Sequence, residues 1–358
     1  MTPQQQTILS LIRTIVGGAY DASMTRGIDW AGVREEATNQ GVQGLCFDAL
    51  ELLPAELRPD KKILLEWLGQ VAFLERLYEK HKMAIDALSL FYQQHDIQMM
   101  MLKGYGLSLY WPKPNHRPVG DMDIYLDGKW RLADQLVSNK LGIKIDDGHE
   151  HHTCFVFQGI SVENHYDFVN TKANRSSREL EAIFKKLATF DKRLRVGKGE
   201  IFLPSPTLNA IFLIRHLGQH FAGAEATFRQ ILDWGLFVQH EVENVDWDLV
   251  GSTLKRVGGY RFFQQINAIC VDYLGFSEAS FPKIERDNAL ERRILEDVCS
   301  PEFSETKPVG HTTRVIWFKT RRFFANRWKR RLVYREGICR QLWYGSIAHL
   351  RRFKTIKD

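Results

Sequence analysis

Two aspartates, Asp121 and Asp123, flank Met122 at the head of a strand-type stretch, Met122-Asp123-Ile124-Tyr125-Leu126. Alternation along a strand sends their side chains out of one face. Carboxylates held that close repel unless a cation or a proton lies between them. Hard oxygen ligands of this kind suit Mg²⁺ or Mn²⁺ carrying substrate phosphates. A third acid completes a two-metal arrangement, and the run Ser161-Val162-Glu163-Asn164-His165 offers Glu163 as that ligand. His165 shares its face and is placed to orient the carboxylate or to contact an acceptor. Upstream, the apolar run Ile97–Leu102 ends in Lys103-Gly104, and helix-compatible residues follow from Tyr105. A glycine at a helix entrance lets backbone N–H groups face a phosphate, whose charge the helix dipole favours. One element therefore holds a triphosphate and another the metals.

Other residues carry more than one meaning. The guanidinium fork of Arg117 matches phosphate oxygens, and it serves equally to anchor its loop on Asp121 or Asp123. Lys103 can meet the phosphates or pair with an acid of the strand. His149, His151 and His152 cluster around Glu150 without the spacing that converges on a metal, so they read as a polar surface loop. His216 and His220 are four apart on a helical pattern, as are Arg229 and Asp233 on the next. These spacings fit helix packing with an ion pair, or a helical cover whose His216, Arg229 and Asp233 bind nucleotide or acceptor.

The elements that must position these groups follow from periodicity. Residues 1–94 are helical, with Leu64, Leu68, Val71, Leu74 and Leu77 at three- and four-residue steps and Asp29 and Asp60 as N-caps. Residues 95–200 alternate strand and helix: a strand at Ile97–Leu102, a second from Met122, a helix over 130–139 and a hairpin about Gly159-Ile160. Helices return over 201–310, opened by Pro206 with Thr207 as N-cap, and a basic aromatic helical tail fills 311–358. The predicted fold class is α/β (α+β), a small mixed sheet flanked by helical regions.

The stretch Leu102-Lys103-Gly104 through Tyr110, Arg117 and Gly120-Asp121-Met122-Asp123-Ile124, with Val162-Glu163-Asn164-His165 behind it, resembles the bacterial uncharacterised nucleotidyltransferases of the DNA polymerase β-like superfamily. The likeness runs back to Gln40-Gly41-Val42 and forward to Phe228-Arg229-Gln230-Ile231-Leu232-Asp233. It implies a small mixed sheet, two metal-binding acids on one strand and a third on another. It also implies transfer of a nucleoside monophosphate from an NTP such as ATP to an acceptor, whether small molecule, saccharide or protein. Asp121, Asp123 and Glu163 would be the catalytic and metal residues, and Lys103, Gly104, Tyr105, Arg117 and Gly120 the nucleotide-binding ones. Where that superfamily commonly has Gly-Ser or Gly-Gly at the phosphate turn, this chain has Gly104-Tyr105, which leaves phosphate binding to backbone amides and Lys103. The alternatives are a nucleotide-binding or interaction protein of the same fold without turnover, and a nucleic-acid-modifying transferase.

Composition limits the rest. With 44% hydrophobic and 26% charged residues over 358 positions, a packed soluble chain is expected. The first residues lack a secretory leader and no apolar run spans a bilayer, so the expected location is the cytoplasm, or peripheral at its membrane. Five scattered cysteines, Cys46, Cys154, Cys270, Cys299 and Cys339, predict reduced thiols. Net charge is +6, yet residues 311–358 hold 14 Lys or Arg against two acids, so residues 1–310 are acidic. That tail interleaves Trp317, Phe318, Phe323, Phe324 and Trp328 with arginines. It can pack on the helical domain with its cations outward, lie on an anionic membrane surface, or bind nucleic acid.

Overall fold

The computed structural model describes residues 1–17, 21–172, 174–223, 226–305, 308 and 312–342. Four helices come first: α1 (Pro3–Val16), α2 (Trp30–Asn39), α3 (Gln43–Leu50) and α4 (Lys61–Gln93). The α/β stretch follows as β1 (Met100–Met101), α5 (Tyr105–Ser108), β2 (Met122–Tyr125), α6 (Trp130–Leu141), β3 (His152–Phe157), β4 (Ile160–His165), α7 (Arg175–Leu187), β5 (Lys192–Val196) and β6 (Gly199–Leu203). The remainder is helical: α8 (Pro206–Gly223), α9 (Phe228–Glu241), α10 (Trp247–Val257), α11 (Tyr260–Asp272), α12 (Asn288–Cys299), α13 (Thr312–Ala325) and α14 (Arg327–Val333).

The strands form one mixed sheet in the order β3-β4-β2-β1-β6-β5. β2 runs parallel to β4 and antiparallel to β1, while β1 and β6 are parallel. Alternation splits side chains between two cores. Met101, Met122, Ile124, Val162 and Ile201 join α4 and α6 on one face. Met100, Tyr125 and Phe202 join the large helical core on the other.

α4 buries a stripe at alternating four- and three-residue steps, Trp67, Val71, Leu74, Tyr78, His81, Ile85, Leu88 and Tyr92. Of these, Tyr78, Ile85, Leu88 and Tyr92 cover the first face, while Trp67 and Val71 join the helical core. That stripe differs from the sequence expectation: Val71 and Leu74 belong to it, whereas Leu68 faces solvent. Asp60 caps α4 by accepting from the Ile63 N–H, as predicted. Asp29 precedes α2 but makes no side-chain capping bond. Thr207 lies inside α8, and Ser205 Oγ accepts from the Leu208 N–H instead.

The first strand is shorter than the apolar run that announces it, since only Met100 and Met101 keep ladder geometry before the chain turns. β5 and β6, which sequence periodicity did not single out, complete the sheet at Leu203. The two flanking helical regions meet: Gln5 Nε2 donates to the Cys299 carbonyl, and Arg13 donates to the carbonyls of Asp272 and Tyr273. No disulfide forms among the described residues.

Candidate active site

β2 and β4 lie in parallel register with Asp123 opposite Glu163 and Tyr125 opposite His165. The apolar neighbours Met122, Ile124 and Val162 go to the α4 face, so the acids must leave the opposite one. Asn164 locks β4 from behind by donating to Asp134 on α6 at 2.8 Å, and Thr153 on β3 donates to the same carboxylate. Asp121 stands one residue before β2, exposed at the strand mouth, while Asp123 is buried.

Asp123 gathers the charge of this face. Lys103 Nζ lies 2.7 Å from its Oδ1, and His165 Nε2 lies 3.1 Å from the same oxygen. His165 Nε2 also lies 3.3 Å from Glu163 Oε2. Burial alone would raise the Asp123 pKa, but Lys103 and His165 outweigh it and hold the carboxyl far below its ordinary range. Burial opposes charge on His165 too, yet Asp123 and Glu163 raise its pKa. Asp121 has the opposite shift: burial and then the like charges of Glu163 and Asp123 raise it. Lys103 thus pairs with the strand acid.

Gly104 makes the turn next to these acids. Its φ of +59° is one that side-chain-bearing residues rarely adopt, and a Cβ there would lie 3.4 Å from the Asp121 carbonyl oxygen. Tyr105, expected at the nucleotide, turns away instead. It is buried and stacked on Tyr78 at 5.4 Å between centroids, because the first turn of α5 sends it toward the α4 core. Gly120 stays exposed at the strand mouth.

Arg117 pairs with neither Asp121 nor Asp123. Its Nε and Nη2 each lie 2.8 Å from Asp233 on α9, and its Nη1 donates to the carbonyls of Gly104 and Pro118. Trp111 Nε1 donates to the same Asp233 at 2.8 Å. The predicted Arg229–Asp233 pair is therefore replaced, since the loop before β2 reaches α9 and saturates the carboxylate. Arg229 keeps a 3.4 Å contact to the Pro118 carbonyl and has no carboxylate partner among the described residues.

A cleft of about 420 Å³ opens between the sheet face and helices α8 and α9. Its sheet side holds Lys103, Asp121, Asp123, Glu163 and His165, and its helical side holds His216, His220 and Arg229. The Nε2 atoms of His216 and His220 are 3.1 Å apart. Burial, then the charge of Lys103, pushes the His216 pKa well down.

Of the histidines around the start of β3, His149 is exposed as its polarity predicts, but His151 and His152 are not on a surface loop. His152 is buried and His151 half-buried, and their rings lie 5.0 and 5.4 Å from that of His165. Burial pushes the His151 pKa down to about 3 and that of His152 to about 4. Adjacent residues in sequence gave no converging spacing; the antiparallel pairing of His152 with His165 brings them in. Arg215, which also lines the cleft, had no sequence signal beyond its place on an apolar helix.

The donor set can be tested against a divalent cation. One ligand atom from each of Asp123, Glu163 and His165 lies within 4.8 Å of the others, and Asp121 adds a carboxyl to the lining of the same cleft. Oxygen-rich donors of this kind fit Mg²⁺ or Mn²⁺, with Lys103 and His165 as competitors for Asp123.

Among the described residues no helix is long and apolar enough to cross a membrane. No curated protein and no solved structure matches the chain. The model of a family described as uncharacterised nucleotidyltransferase matches residues 26–275. That span holds the Gly104 turn, the three acids and the α8–α9 wall, and it takes in most of the sequence: the chain belongs to the uncharacterised nucleotidyltransferase family.

Proposed function

We propose that this chain transfers a nucleoside monophosphate from an NTP to an acceptor hydroxyl, with Mg²⁺ or Mn²⁺ held by Asp121, Asp123 and Glu163. The observation that carries this reading is a single cleft with the acids on one wall and Arg229, His216 and His220 on the other. When bound, the cation neutralises the triphosphate and the pyrophosphate leaving group. Arg229 binds phosphate oxygens, because a guanidinium facing the cleft without a carboxylate partner is open to an anion. The Gly104 turn lets the chain approach the phosphates closely. Glu163, oriented by His165, accepts the proton of the acceptor hydroxyl as its oxygen bonds to the α-phosphorus and the bond to pyrophosphate breaks.

Incubation with α-labelled NTPs, Mg²⁺ or Mn²⁺ and a cell extract should yield a labelled product. Asp123→Asn should reduce it by about a hundredfold or more, as loss of a key electrostatic group does. Arg229→Met should weaken binding of a non-hydrolysable NTP about tenfold, the scale of one charge-assisted hydrogen bond. Labelling that persists unchanged in Asp123→Asn sinks the assignment. NTP binding without transfer by the wild-type chain would instead favour the inactive nucleotide-binding reading.

The exposed side of α13 and α14 supports a second element of function, attachment to an anionic membrane surface. Ile316, Trp317 and Phe324 are exposed there beside Arg314, Arg327 and Arg331. Apolar rings among arginines suit the headgroup boundary. Co-sedimentation with phosphatidylserine vesicles but not with neutral ones, reduced by Trp317→Ala, is the expected result. Equal sedimentation with neither, or salt-sensitive RNA binding in its place, overturns it.

A further inference from the structure

A second group of ligand-type side chains lies on the same sheet face, one strand further out. β3 sets His152 and Cys154 opposite His165 and Glu163 of β4. His149 reaches over from the segment before β3, its ring stacked on that of His152 at 4.5 Å and 25°. One ligand atom from each of His149, His152 and Cys154 lies within 4.8 Å of the other two. His152 is only 7% exposed, and neither of its ring nitrogens has a hydrogen-bond partner. Its Nε2 stands 3.9 Å from Glu163 Oε1, beyond hydrogen-bonding reach. A buried imidazole with both nitrogens unsatisfied is uncommon and calls for a ligand or a functional role.

The chemistry of this group differs from that of the three acids. Imidazole nitrogen and thiolate sulfur select borderline and softer ions, while Mg²⁺ takes oxygen. Asp146 Oδ2 lies 3.7 Å from His149 Nε2, at ion-pair rather than hydrogen-bonding distance, so a carboxylate already neighbours this imidazole. We infer that His149, His152 and Cys154 form a binding site for a transition-metal ion of the Zn²⁺ class, separate from the carboxylate set and independent of nucleotidyl transfer. Three protein ligands leave a fourth position for water or a substrate atom. Binding converts the Cys154 thiol to a thiolate and releases its proton to solvent.

The test uses the full chain, stripped with a chelator and titrated with Co²⁺. A thiolate-to-cobalt charge-transfer band should grow together with the visible bands of four-coordinate Co²⁺, and Zn²⁺ should displace both. Cys154→Ser should lose the charge-transfer band, and His149→Ala should weaken binding about tenfold or more. Asp123→Asn and Cys339→Ser should keep the band, which separates this site from the carboxylates and from the exposed thiol. Zn²⁺ should also slow alkylation of Cys154 in the wild-type chain but not in His149→Ala, read by peptide mapping without altering the cysteine. The inference is overturned if the wild-type chain shows no thiolate band, if the band survives Cys154→Ser, or if Zn²⁺ leaves Cys154 alkylation unchanged.

Discussion

Arg117 and Asp233 are each about 5% exposed, and their two-pronged contact joins the loop before β2 to α9 across the cleft. A buried ion pair of this kind adds little over a well-packed apolar pair, but removing one member strands the other charge. Asp233→Ala should therefore destabilise the fold by about 3–5 kcal/mol in urea unfolding. It also removes the acceptor of Trp111 Nε1. The double variant Arg117→Met, Asp233→Leu should recover a large part of that loss. A double variant as unstable as the sum of the singles would show that the two residues do not act as a pair. The same contact leaves Arg229 without a carboxylate, so one residue-level choice of partner sets which guanidinium faces a ligand.

At the scale of elements, the loop before β2 is pinned on its other side by His116, which stands between Asp48 of α3 and Glu75 of α4 at 2.9 and 3.2 Å. Burial and the nearby Lys113 oppose a charge on this imidazole, but hydrogen bonding to Asp48 and then Glu75 outweighs them and its pKa is raised. A raised folded-state pKa favours the protonated ring in the native chain. The stability it contributes is fully present below the unfolded value of about 6.5 and is lost as pH climbs through the folded one. Urea midpoints measured across that window should fall with rising pH, and His116→Gln should flatten the slope. An unchanged slope in His116→Gln would assign the effect to another group. Because this loop carries Arg117 to Gly120, loosening it also loosens the mouth of the cleft.

For the molecule as a whole, the α14 part of the basic tail belongs to the helical core. Lys329 on α14 is fully buried and pairs with Asp297 of α12 at 2.5 Å, while Trp328 packs edge-on against Phe221 of α8. Val333 lies against Gly218, where a Cβ would meet it at 3.0 Å. α14 therefore packs on the helical core with one cation, Lys329, turned inward and with Arg327 and Arg331 outward, which departs from the expectation of cations on the outside alone. The final stretch, 343–358, lies outside the described residues. Deleting residues 311–358 should lower the thermal midpoint by several degrees, since it uncovers Phe221 and Phe262 and leaves Asp297 a buried charge without its partner. Neutralising the exposed Arg314, Arg327 and Arg331 should leave the midpoint within about a degree, as surface substitutions usually do. A deletion that melts like the full chain would make the tail a mere appendage.

The sequence by itself determined the parts whose cause is local. The Asp-x-Asp spacing, the Lys-Gly turn, the capping Asp60 and the periods of three, four and two residues all act within a few positions, so they can be read along the chain. They sufficed for a mixed α/β core between helical regions and to single out Asp121, Asp123 and Glu163 as candidate ligands. What tertiary structure decided was pairing between distant segments. It matched Arg117 with Asp233 in place of Arg229, turned Tyr105 into the α4 core, and drew His151 and His152 beside His165 through the β3–β4 register. Ion pairs and buried rings depend on which surfaces meet, and no local period encodes that. The two aspartates announce chemistry, but only the parallel register of β2 and β4 sets Glu163 beside Asp123.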